Sequence, residues 1–420
     1  MLTLLTLGTS SAHGAQWAVM PKNPSQEKIP TQIWVLVGAA FAVAVGYGLI
    51  APILPLFAQQ MSASVTATTI VVSAFAAFRL LWATPAGSLV QRFGEQGTYM
   101  AGVLIVAASS AATAFAANYW QLLIFRSLGG IGSVMFTVAA VGMLVKLAPP
   151  TMRGRVSALY GASFLVGNIT GPLIGGLLGG FGHQVPFLVY AAFLVVAASL
   201  VGWLMPRGRL LGAAGDGVQP PMTLAEAFRD NAYRSALATM FANGWANFGV
   251  RVSVLPLFVA FALSDEPWVA GTALAAFAVG NAATLPFSSR YADRHGRRPL
   301  ILMGSLVAGG FTAILGFGGQ LWWVLLLCLI AGVGVGMLNP ATQASLADVI
   351  GSERSAGRVI AVSQMVADIG AIIGPVLAGL MVDGWGYDWA FLLTGAVLLV
   401  SAVPWLFTAD TLARAHKEAS

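Results

Sequence analysis

Residues 33–57 read IWVLVGAAFAVAVGYGLIAPILPLF, twenty-five positions without one Asp, Glu, Lys or Arg. A helix needs about 20 such residues to cross the hydrocarbon of a bilayer. With no polar face for water, the stretch predicts a membrane span and not the amphipathic helix of a soluble core. It ends on Leu54-Pro55-Leu56-Phe57, and the same tetrad returns as Leu255-Pro256-Leu257-Phe258, 201 residues on.

The rest of the chain agrees with that first run. Of 420 residues, 58% are hydrophobic and 9% charged, with a mean hydropathy of +0.81, whereas a soluble chain carries about 25% charged residues. Soluble enzyme folds are excluded on that ground. The 49 glycines and 20 prolines fit membrane helices, where neighbouring helices satisfy interrupted backbone groups. The apolar runs are continuous, unlike the alternating ten-residue segments of a β-barrel. The fold class is therefore an all-α membrane protein. The lone Cys328 excludes an intramolecular disulfide and reads as a buried structural thiol. The formal charge of +6 comes from dispersed basic residues without interleaved aromatics, so nucleic acid is not a partner.

Twelve spans are predicted, at 33–58, 66–90, 98–117, 120–148, 156–180, 185–205, 235–262, 269–289, 299–318, 321–347, 358–382 and 387–408. The polar stretch between the sixth and seventh divides them into a six-helix bundle over 33–205, a linker over 206–234 and a second bundle over 235–408, with tails at 1–32 and 409–420. Of 21 Lys and Arg, 18 lie in the tails, the linker and the loops and helix ends on the side of the termini; the other three, Arg79, Arg126 and Arg251, lie inside spans. The opposite loops hold none, and the positive-inside bias makes both termini and the linker cytoplasmic. Residues 1–15 are mildly apolar but lack the basic start of a secretory signal, so no cleavage is expected, and Met20 is an alternative start.

The halves repeat each other. Gly130 and Gly132 correspond to Gly332 and Gly334, Arg155-Val156 to Arg358-Val359, and Gly171-Pro172 to Gly374-Pro375, at offsets of 202 or 203. Two copies of six spans share one orientation, the geometry that places a small-molecule site between halves near the midplane. The fifth span also carries Gly167-Asn168-Ile169-Thr170-Gly171-Pro172-Leu173-Ile174-Gly175-Gly176. With these repeats and that string the chain resembles the major facilitator superfamily, and within it the twelve-helix drug:proton antiporters, whose fifth helix bears G-x-x-x-G-P-x-x-G-G.

The resemblance implies more about particular residues. Gly167, Gly171, Pro172, Gly175 and Gly176 would form the antiporter motif, which keeps the closed form proton-tight; tight packing alone stays open as a reading. The superfamily's cytoplasmic-loop motif is matched by Asp293-Arg294-His295-Gly296-Arg297-Arg298, after Ser289 in place of a glycine. In the first half, Gly87 to Gln96 has lost the aspartate, to Gln91, and both later arginines. By family geometry Asp293 would latch against the positive start of the fifth helix, and Gln91 would latch weakly. Arg126 resembles the arginine that the family links to proton transfer; snorkelling to the interface is the alternative.

Only one carboxylate lies deep in a span, Asp368, with Gln364 one turn earlier. Ionisable groups at such depth default to functional candidates, so Asp368 is the candidate coupling acid, and Arg79 its partner because the second and eleventh helices face each other in the family. A cation–π role of Arg79 with Phe75 and Trp82, and neutralisation of Asp368 by Arg251 next to Asn247, remain alternatives. Tyr47, Tyr160, Asn168, Asn247, Asn281, Asn339, Gln343 and Gln364 are candidate cavity residues. Three buried arginines, and a first span without Asp or Glu, favour neutral, zwitterionic or anionic substrates. No phosphate-cradling loop is present and the four histidines are scattered, so no cofactor, ATP or metal site is expected. The expectation is a non-enzymatic multi-pass transporter of the inner (plasma) membrane, working as a monomer. It would exchange protons for small amphipathic molecules, giving multidrug resistance. Transport of one specific metabolite is the rival.

Overall fold

The computed structural model describes residues 29–62, 64–148, 152–205, 222–351 and 357–412. Most of the predicted tails, Met20 and the body of the linker lie outside them. The described chain is helical: α1 (Thr31–Ile50), α2 (Leu54–Gln60), α3 (Val65–Leu81), α4 (Ala83–Ala114), α5 (Tyr119–Leu147), α6 (Arg153–Gly179), α7 (Gln184–Leu204), α8 (Leu224–Arg229) and α9 (Asn231–Asn243). A π-helical turn (Gly244–Val250) leads to α10 (Arg251–Ser253), α11 (Leu255–Ala262), α12 (Pro267–His295), α13 (Arg298–Ala313), α14 (Leu321–Ile350), α15 (Gly357–Trp385), α16 (Tyr387–Val400) and α17 (Val403–Leu406).

Ten of the described helices are long and apolar enough to cross a membrane, and Asn231–Ser253 with Leu255–Ala262 forms an eleventh candidate bent by 41°. The shortfall from twelve has a local cause in the second predicted span. Pro85 would lack a donor for the carbonyl of Leu81 and clash with it, and the helix breaks at Trp82. Val65–Leu81 is left as a shorter apolar helix. The remainder runs into α4, which Gly94 divides with a φ of 78°, a backbone that side-chain-bearing residues rarely adopt. Gly296 makes the equivalent turn between α12 and α13 at φ 110°.

The repeated Leu-Pro-Leu-Phe also has a structural result. In both places the proline sits in the first turn of a new helix, α2 or α11, where its missing N–H is no loss. Around these breaks two large apolar cores form. One takes its buried residues from 33–205, including Leu36, Val103, Leu122, Phe136 and Leu194. The other uses Trp245, Phe258, Leu327, Phe391 and Leu398, with Ala51 and Val65 reaching in from the first half. Helices from opposite halves of the chain meet along two seams, α3 against α15 and α6 against α12.

Candidate functional site in the two seams

On the first seam, Arg79 in the last turn of α3 places Nε 3.8 Å from Oδ1 of Asp368 on α15. Their side chains are 26% and 16% exposed, so the pair is screened from bulk water without being sealed. Arg79 Nη1 donates to Ser133 Oγ at 3.4 Å, and Gln364 stands one turn before Asp368 on α15. Beyond this pair, toward the end that carries the termini, Leu81, Trp82, Ile360 and Gln364 are exposed.

The other two arginines lie inside the halves. Arg126 is buried with its guanidinium 4.3 Å from the ring centre of Phe75, and Arg251 is buried 3.5 Å from that of Phe277. Burial rules out the snorkelling reading of Arg126, and Phe75 serves Arg126, not Arg79. The two phenylalanines are counterparts in the repeat, 202 residues apart, although their cations arrive from different helices. Arg251 Nε donates to Asn247 Oδ1 at 3.2 Å, and Asn247 donates to Asn243. It forms no ion pair with Asp368. A cavity of about 10 Å³ beside Arg251, lined also by Thr312 and Thr394, has room for one water.

The fifth-span motif packs two ways. A Cβ on Gly171 would stand 2.6 Å from the carbonyl of Val45 and 2.7 Å from Cα of Gly48, and Gly167 and Gly175 likewise press on α1. Gly176 faces the second half: a Cβ there would meet Cα of Trp268 at 2.7 Å. Pro172 lies within α6, and its carbonyl abuts Gly271 of α12. Gly176, with Pro172 against Gly271, thus draws α6 onto α12 toward the end away from the termini, while the other three glycines pack within the first half.

At the other end, Arg297 holds Asp348 at 3.2 Å and Asp293 at 3.2 Å, while Arg298 donates to the carbonyl of Leu406 at 2.8 Å. Backbone N–H groups of Arg297 and Arg298 donate to Asp410. Asp293 is 70% exposed and pairs with Arg297 one turn on; the approach to the fifth predicted span, against which its latch is expected, lies partly outside the described residues. Arg294 is exposed. The first half, read as having lost this motif, keeps its shape with other residues. Gly94 makes the turn, Glu95 bonds Lys146 at 2.5 Å, and Gln96 donates to the carbonyls of Val201 and Met205.

The remaining candidates are dispersed. Tyr47 is half-buried beside Phe75, and Tyr160 beside Phe164. Asn168 and Gln343 are exposed, and Asn281 and Asn339 half-buried; the contacts of the described residues do not join these four into one cluster. A surface depression of about 490 Å³ at Glu226, Arg229 and Phe407 contains none of the candidates. One residue was missed altogether. Asp383, at the end of α15, accepts hydrogen bonds from the N–H groups of Val65 and Thr66, both at 2.9 Å, and from Thr66 Oγ1 at 2.6 Å. A signal was available: a carboxylate in the last turn of a helix opposes the local dipole, and such a conflict points to a partner elsewhere.

Comparison with known proteins adds the context. A family model described as Major Facilitator Superfamily matches residues 36–269 and 236–420. "Multidrug resistance protein 2" of Bacillus subtilis is 24% identical over 392 residues, covering 91% of this chain and 95% of that protein. "Quinolone resistance protein NorA" of Staphylococcus aureus is 21% identical over 355 residues, covering 84% and 90%. Among solved structures, an inward-facing, unoccupied bacterial homolog of the human lysosomal transporter Spinster superposes with a TM-score of 0.74 at 17% identity, covering 93% of this chain and 99% of that one.

Proposed function

The chain belongs to the Major Facilitator Superfamily, and from that premise we propose that it exports small amphipathic molecules across the plasma membrane in exchange for protons, by alternating access. The observation that carries this reading is the Arg79–Asp368 pair, among the described residues the one ion pair that joins opposite halves inside the spans. Its relatives named for multidrug and quinolone resistance support the export class.

The architecture of this reading has twelve crossings. α3 and residues 83–93 make the second, residues 95–114 the third, and the bent pair from Asn231 to Ala262 the seventh. Residues 33–205 and 235–408 are the two moving bundles. The termini and the linker over 206–234 face the cytoplasm, so the form described is open inward. In it Asp368 faces Arg79 across the first seam and a substrate can enter from the cytoplasm. Rocking the halves separates α3 from α15 and leaves Asp368 without its cation in a low-dielectric seam, where the carboxylate takes up a proton. The neutral acid permits return, and re-formation of the pair releases the proton inward.

A second reading, transport of one neutral or anionic metabolite, draws on the absence of Asp and Glu from 33–57 and on Arg126 and Arg251, whose described contacts include no carboxylate. One experiment separates these readings. Purified protein in liposomes is given an inward proton gradient and a mixed compound panel, while an internal dye reports pH. Substrate-dependent proton movement that disappears in Asp368→Asn is the expected result. Compound flux without proton movement would overturn the coupling.

A further inference from the structure

α3 and α15 run antiparallel across the first seam, and their contacts keep a constant register. Val65 lies opposite Asp383, Thr69 opposite Gly379, and Arg79 opposite Asp368, so that the two residue numbers of each facing pair add to nearly the same value. At 1.5 Å per residue, Arg79 stands about 21 Å from Val65 along this seam. At the Val65 end, where Val65 also packs into the core of the second half, one side chain bridges the seam by hydrogen bonds. A helix start leaves its first backbone N–H groups without partners. Ser64 accepts from Ala67, which satisfies the third, and the first two, on Val65 and Thr66, donate to the carboxylate of Asp383. The positive end of α3 is thus capped from the other half of the chain, while a carboxylate unfavourable at the end of its own helix finds compensation. At this level of the second seam, among the described residues, the contact is close packing: Gly176 and Gly179 rest on Pro267 and Trp268.

We propose that Asp383 is a positioning residue for transport: by capping α3 across the seam it closes the end away from the termini and sets the register that brings Arg79 opposite Asp368. The assignment rests on the alternating-access reading above. When the halves part at this end, the two N–H groups pass to water, so the cap stabilises the closed form alone.

The test uses a reporter within the closed seam. Thr69 is fully buried beside Gly379, and Thr69→Cys in a Cys328→Ser background is labelled by a maleimide only when that end opens. In purified protein, Asp383→Ala and Asp383→Asn should each raise the labelling rate about five-fold, the shift that losing a helix cap of typical strength makes in a two-state equilibrium. Thr66→Val, which removes only the hydroxyl bond, should give a smaller rise, and Asp388→Asn, an acid at the same end outside the cap, none. Unchanged labelling in both Asp383 variants would overturn the proposal; if Asp383→Ala does not fold, Asp383→Asn and Thr66→Val decide it. Labelling needs neither substrate nor proton gradient. Failure of the coupling reading would appear separately, as proton movement that survives Asp368→Asn, and the maleimide result would still decide whether Asp383 closes the seam.

Discussion

The carboxylate of Glu95 stands 2.5 Å from the ammonium of Lys146, at positions 202 residues before Arg297 and Asp348, which meet at 3.2 Å with the signs reversed. In both halves the pair ties the start of one helix, just after a positive-φ glycine, to the far end of the next. The geometry is kept while the charges have exchanged places.

Lys146→Ala would leave Glu95, whose side chain is 7% exposed, as an uncompensated buried charge. Removing one partner of a buried pair costs about 3 kcal/mol or more. The melting temperature of the purified protein should fall clearly, and the swap Glu95→Lys with Lys146→Glu should recover most of the loss. A double variant no better than the single would show that the site recognises these particular side chains and not a pair.

Gly171→Ala forces a methyl to within van der Waals overlap of Val45 and Gly48. Overpacking of this kind costs about 1–3 kcal/mol. The expected outcome is a less stable protein whose liposomes leak protons without substrate, measured with an internal pH dye. Pro172→Ala, which restores a backbone donor inside α6, should stabilise the helix and slow exchange. Tight liposomes and unchanged exchange in both variants would reduce the motif to filler between helices.

Gln91→Asp restores the acid missing from the first-half loop. It should favour the form closed at the terminus-bearing end. In the Cys328→Ser, Thr69→Cys protein that shift reads as faster maleimide labelling at the opposite end. No change would count against any latch by this loop.

Phe277→Leu removes the ring beneath Arg251, and Phe75→Leu the ring beneath Arg126. Each should lower stability by about 1–2 kcal/mol, the range of a desolvated cation–π contact. If the arginines serve packing alone, the spectrum of exported compounds will not change. A changed spectrum in either variant would make that arginine a substrate contact.

Much of this molecule is legible in its sequence, for reasons that also mark where reading stops. Apolar run length, the side-specific placement of Lys and Arg, and the near-constant offset of the repeat predict an all-helical membrane chain of this superfamily without any tertiary information. The Arg79–Asp368 contact was reachable because few ionisable groups lie deep in the spans, so the choices were few. Asp383 and the start of α3 are more than 300 residues apart, and helical periodicity does not say which helix ends meet. The second predicted span is divided at Trp82, because one proline in the first turn of α4 interrupts a helix that the hydropathy of a whole window reads as continuous. Glu95 and Lys146 are a different case. They become visible when the two halves are read together at offset 202, with attention to charge product and not to residue identity.

The buried arginines carry one more implication. Phe75 and Phe277 occupy the same place in a duplicated unit, yet Arg126 reaches the first from α5, and Arg251 reaches the second from α10. The repeat partner of Arg126 is Cys328 and that of Arg251 is Ile50, so each cation faces an uncharged residue where its twin would stand. The aromatic seat is shared by the two halves, and the route by which its occupant arrives is not. The halves are consequently no longer exchangeable parts: a chain made of two first halves would seat both arginines from the same side and lose the π-turn that delivers Arg251, becoming a symmetric machine where the present one has handed each half its own manner of holding a charge.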